Sequence, residues 1–163
     1  MKNILKEYLS VPQFIKYLIM AVFFIQLIDA ASFILFNFYL HDLGFEDDQI
    51  AYFTACRYAA IVLVSFPFGL FIKGRPLIRY IRTASVLAPI ISLGIIFLLE
   101  AGYVFLAQVF IFFLGLNIVL IKVTALPFII LNTPTDKHSE SIAMYFQVFS
   151  LTVFTAGISN YIL

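Results

Sequence analysis

Tryptophan is absent from this chain, cysteine occurs once, histidine twice, and charge is scarce. Each shortage excludes something. The lone Cys56 sits inside an apolar run, so neither an intramolecular disulfide nor CxxC redox or zinc chemistry is open to it. His41 and His138 fall in polar loops on opposite sides of a long apolar stretch. They cannot share a metal, and both are expected to be solvated. All Glu residues also lie outside the apolar runs, so the His and Glu ligands of an intramembrane metalloprotease are missing at depth. No glycine-rich nucleotide loop, HExxH pair or nucleophile elbow is present. Enzymatic activity, an ATP site, a cofactor and a nucleic-acid partner are therefore not expected. Charged residues make up 12% of the 163 positions, against roughly 25% in soluble domains.

What fills the chain instead is apolar bulk: 63% hydrophobic residues, with 20 Phe and 9 Tyr. A soluble fold of this size has no interior large enough for it, so lipid is the expected solvent. The N-terminus is no cleavable signal, because its first apolar run is too long and no A-x-A pattern follows.

The runs divide the chain into a leader at 1–13 and spans at 14–40, 49–72, 77–99, 103–131 and 142–163. Each exceeds or meets the roughly 20 residues a helix needs to cross a bilayer. β-Barrel strands would be shorter and alternating. The expected fold is an all-α polytopic membrane bundle of five transmembrane helices. Pro67 is expected to kink the second span, and Pro76 to occupy the first turn of the third helix. Gly94, Gly115 and Gly157 are expected to permit close helix packing. The polar loop is expected to run from Asn132 to Ser141.

Orientation follows from the Lys and Arg residues. The N-terminal end, the Lys73–Arg82 turn and the 132–141 loop carry eight of the ten, whereas the 41–48 loop carries four acids and no base. Cytoplasmic loops retain Lys and Arg. The N-terminus is thus expected in the cytoplasm, with the end of the fifth span outside, in an inner (plasma) membrane.

Tyrosines aside, three ionisable residues lie deep inside the spans: Asp29, Arg57 and Lys122. Each costs about 2.5–3.5 kcal/mol at the bilayer centre on insertion scales, so each needs a partner or a wet cavity. At 100° per residue, Gln26, Asp29, Phe33 and Asn37 share one stripe. Thr54, Arg57 and Ile61 share a face of the second span, and Gln108, Gly115 and Lys122 recur every seven residues on the fourth. One reading is an aqueous pathway lined by Asp29, Arg57, Lys122, Gln26 and Asn37, with Asp29 as solute contact or proton carrier. The other is a buried ion pair that fixes helix register, as in a small multi-pass assembly or interaction subunit.

GLFIKGRPLIR at 69–79, LPFIILNTPTDKHSESIAMYF at 126–146 and NFYLHDLGFEDDQIAYF at 37–53 resemble, in order and sidedness, the first half of a major facilitator superfamily transporter. The resemblance covers about 14–163. It implies a secondary carrier of a small solute, coupled to a proton or sodium ion or to the solute gradient. Gly69, Lys73, Arg75 and Arg79 would then form a cytoplasmic gating loop. It also implies a sixth helix and a C-terminal half as partners, so this chain is expected to be a truncated five-helix portion. Three positions depart from the family pattern: Lys73 stands where the loop motif carries Asp, Pro76 where it carries its second Gly, and Ile111 where the fourth helix often carries Arg.

Overall fold

The computed structural model describes residues 11–162. Most of the leader and Leu163 lie outside the described residues, as does the side chain of Phe33. Among the described residues the chain is helical without strands. It forms α1 (Gln13–Asp42), α2 (Asp47–Phe71), α3 (Leu77–Glu100), α4 (Val104–Leu131) and α5 (His138–Ile162), with a 3-10 turn at Thr135–Lys137 before α5. Among the described residues four segments are long and apolar enough to cross a membrane: α2, α3, α4 and Thr135–Ile158. In α1 the apolar stretch among the described residues is Gln13–Leu27.

The breaks between helices are short and chemically specified. Gly44, Gly74 and Gly102 have φ of 86°, 74° and 77°. Only glycine adopts that left-handed region without a steric penalty, so the chain can leave one helix and enter the next within a few residues. At the start of α2, the Glu46 N–H donates to Gln49 Oε1 at 3.1 Å, one half of a capping box.

Several expected boundaries shift. Pro76 precedes α3 as its N-cap rather than sitting in its first turn. α2 is continuous through Pro67, as α3 and α4 are through Pro89 and Pro127. The polar loop ends earlier than Ser141, because the polar residues His138–Ser141 already belong to α5. Hydropathy marks where lipid begins, and a helix can start well before that.

Hydroxyls inside the helices are satisfied locally. Thr83, Ser85, Thr152 and Thr155 donate to the carbonyl four residues earlier at 2.7–2.9 Å, and Ser65 and Thr124 do the same. Where no water is available, such back-bonding lets a hydroxyl sit at apolar depth without an orphaned donor.

The chain divides into two compact units, 1–44 with 129–163 and 45–128. In the first, α1 packs on α5. Its buried stripe runs Ile15, Ile19, Val22, Gln26 and then Leu40, at the three- and four-residue spacing of one helix face. In the second, three helices pack up, down and up. Arg57 and Ala60 of α2 meet Gly115 of α4, and farther along Gly69 meets Val123, so α2 and α4 run parallel. α3 returns between these directions, with Gly94 against the ring of Phe110 and Tyr80 against Phe68. α4 is the most buried of the four apolar segments.

Candidate functional site

Gln26, Asp29 and Asn37 all belong to the packed face of α1. Gln26 is 7% exposed, Asp29 and Asn37 are half-buried, and Leu40 closes the same stripe. The amide nitrogen of Gln26 is buried with no hydrogen-bond partner among the described residues. A buried donor without an acceptor costs about 1–3 kcal/mol. This stripe therefore carries a polar group whose bonding capacity the first unit does not use.

Arg57 and Lys122 lie in the second unit. Arg57 is half-buried between Phe53 and Ala60, which are buried one turn to either side. The packed face of α2 thus centres on Phe53, Arg57 and Ala60, with Thr54 and Ile61 half-buried at its edge. Gly115 explains how close this face comes to α4. A Cβ at that position would be driven into the Arg57 carbonyl oxygen and would stand 2.9 Å from the Ala60 Cβ. Gly115 is therefore a contact point between helices, as expected. Gly157 is not: a Cβ there meets nothing within 4 Å.

Lys122 has the angular position of Ile111, Gly115 and Ile118, all buried, yet is itself exposed. Ile121, Thr124 and Ala125 beside it are buried, so Lys122 stands at the edge of the packed face of α4. From the helix end at Leu131, Lys122 is about 14 Å along the axis, given the rise of about 1.5 Å per residue. Arg57 is about 15 Å from the start of α2, and Asp29 about 20 Å from the end of α1, on the same rise. All three stand well inside their helices.

Asn117 is a further polar residue at depth that hydropathy patterning passes over. It is 3% exposed, and its amide nitrogen has no partner among the described residues. The signal was available: one of two amides, with Gln108, inside a 28-residue apolar helix.

At the starts of α2 and α4, Phe45, Asp48, Gln49, Tyr52, Phe53, Val104 and Gln108 line an open depression of about 280 Å³. Gln108 is the only residue of the seven-residue recurrence that reaches it, and neither Arg57 nor Lys122 does. At the opposite end of α2, Gly69 is half-buried and Lys73, Arg75 and Arg79 are exposed. The Arg75 guanidinium carbon stands 3.6 Å above the centre of the Phe71 ring. A Cβ on Gly69 would find ordinary contact with Val123 at 3.8 Å, so no close approach demands glycine there.

His138 is half-buried rather than solvated. Its Nε2 lies 2.9 Å from the Thr133 carbonyl oxygen, and Thr133 Oγ1 donates to the Ile129 carbonyl at 2.7 Å. A carbonyl only accepts, so Nε2 carries the proton. The ring thereby secures the chain just past the end of α4. Among the described residues no three His, Cys, Asp or Glu side chains gather as a metal site requires. No protein-family model, curated protein or solved structure matches the chain.

Proposed function

We propose that the chain forms five transmembrane helices of an integral membrane secondary transporter that moves a small solute by alternating access. The observation that carries this reading is the set of ionisable residues Asp29, Arg57 and Lys122 well inside helices of 30, 25 and 28 residues, of which α2 and α4 are apolar enough to cross a membrane. Intramembrane charge is expensive, and its common use is to mark a solute or ion path. The packed-face positions of Gln26, Asp29 and Asn37 support it. The sequence resemblance to the first half of a major facilitator superfamily transporter supports the same class. In that arrangement the site lies near the midplane, and two bundles rock around it.

In this reading the N-terminus and the basic turn are cytoplasmic, following the Lys and Arg bias. Asp29 in the first unit and Arg57 and Lys122 in the second are the residues assigned to the solute or to a coupling proton or sodium ion, and Gln26 and Asn37 supply neutral hydrogen bonds. Gly69, Lys73, Arg75 and Arg79 form a cytoplasmic gating loop, and further helices complete the wall of the path.

The test compares solute pools of cells that express the chain in its native membrane with cells that lack it. Flux of at least one solute should depend on the chain and should fall to background in Asp29→Asn and Arg57→Ala. Unchanged flux in both variants contradicts the assignment. A second reading, an assembly subunit without transport, is favoured by one observation. Ala51, Ala55 and Ala59 are exposed at four-residue spacing on α2, a pattern that lets another helix approach closely. In that case no solute pool responds.

A further inference from the structure

From Gln49 through Leu99 the chain contains no Asp or Glu, yet Lys73, Arg75, Arg79 and Arg82 cluster there and are all exposed. The compensating anion must come from outside this stretch. The surroundings of the cluster indicate which kind.

Phe71 is held as a plate. It stacks on Phe68 with centroids 6.3 Å apart and meets the Tyr80 ring edge-on at 6.5 Å. Arg75 lies over it at 3.6 Å. A guanidinium held by its flat face keeps its N–H donors in the plane, directed outward, in the fork that suits a phosphate. The turn fixes the backbone beneath it: Arg75 N–H donates to the Ile72 carbonyl at 3.0 Å, and Gly74 takes the left-handed conformation. Little side-chain freedom remains to be lost when an anion binds.

The last turns of α2 before the plate also carry exposed apolar side chains. Phe71 is 49% exposed, Leu70 64% and Phe66 76%, and Phe66 and Leu70 are one helical turn apart on α2. The corner therefore offers a cationic fork at one end and an open apolar track leading away from it. A soluble phosphate would use only the fork. A phospholipid would use both.

We infer that the α2–α3 corner is a binding site for an anionic phospholipid, with its phosphate on Arg75 and Lys73 and an acyl chain along Phe66, Leu70 and Phe71. Arg79 and Arg82 add long-range attraction to an anionic leaflet. The inference requires membrane residence of α2 and α3 and is independent of transport. A basic cluster acting only as an orientation signal would need neither the stacked guanidinium nor the adjoining apolar track.

The test is native mass spectrometry of the full chain in detergent micelles, titrated with palmitoyl-oleoyl phosphatidylglycerol or the matching phosphatidylcholine. Phosphatidylglycerol should bind more tightly, and each of Lys73→Gln and Arg75→Gln should weaken it about fivefold, the worth of one cation at an anionic surface. Arg75→Lys, which keeps the charge and loses the stacked fork, should also weaken it. Phe71→Leu, which keeps apolar surface and removes the plate, should do so as well. Helix content by circular dichroism confirms that each variant is folded. Glycerol 1-phosphate in tenfold excess over lipid should not displace it. Three results overturn the proposal: equal affinity for the two lipids, unchanged binding in both Arg75 variants, or displacement by glycerol 1-phosphate, which would mark a soluble-anion site.

Discussion

Gly115 is the position where a single added methyl group would meet backbone rather than a pliable side chain. The Arg57 carbonyl cannot retreat without moving α2, so Gly115→Ala should destabilise the fold by about 1–3 kcal/mol, the usual range for overpacking. Gly69→Ala and Gly157→Ala should change stability little, because a Cβ at either place meets no atom closer than ordinary contact. Thermal unfolding in detergent distinguishes the three. The glycines look alike in sequence, each beside small residues or apolar bulk. Spacing alone could not separate the crossing from the bystanders, because closeness depends on which helix lies opposite. The lone charges were more legible. Asp29, Arg57 and Lys122 stand out in any hydropathy reading, whereas Asn117 does not, since an amide barely lowers the average of a strongly apolar run.

Helices in this chain are held at their ends by a few side chains whose identity matters. The corner between α2 and α3 rests on Phe68, Phe71 and Tyr80, which pack edge-on and stacked within 5.4–6.5 Å. Tyr80→Ala removes two ring contacts of about 0.5–1.5 kcal/mol each. It should lower the unfolding temperature and free Arg75 to move, readable as a rise in side-chain mobility by NMR of labelled arginine. His138→Ala removes the donor to the Thr133 carbonyl and should cost about 1 kcal/mol. Limited proteolysis of the α4–α5 connection should then become faster. The helices were foreseeable from run length and the turns from glycine and charge. The start of α5 was not, because its first turn is polar and continues the helix outward from the apolar run. The role of His138 was equally hidden, since it depends on a carbonyl five residues back across a 3-10 turn.

On the scale of the molecule, the account joins four apolar crossings to a fifth proposed for α1, and the charge bias to a sidedness. In a Cys56→Ser background, single cysteines at Gly44 or Gly102 should react with an impermeant maleimide added outside cells. Cysteines at Gly74 or Asp136 should react only after the membrane is opened. Labelling of all four from one side would contradict the alternation. The all-helical, membrane-compatible character was legible because it needs only run lengths and composition. Which helix faces pack together was not, because that depends on how separate helices are brought together.

The central claim is that Asp29, Arg57 and Lys122 border water inside the membrane, and one measurement addresses it without knowing the solute. Cysteine placed singly at 29, 57 and 122, again without Cys56, is exposed to a water-soluble thiol reagent in intact membrane vesicles. Val62→Cys and Leu93→Cys, on exposed apolar faces of α2 and α3, serve as references. The account predicts that the three positions react well above both references and that excess solute, once found, protects them. Reaction as slow as at Val62→Cys and Leu93→Cys would mean that the charges are sealed in a dry register pair, and the pathway would be ruled out.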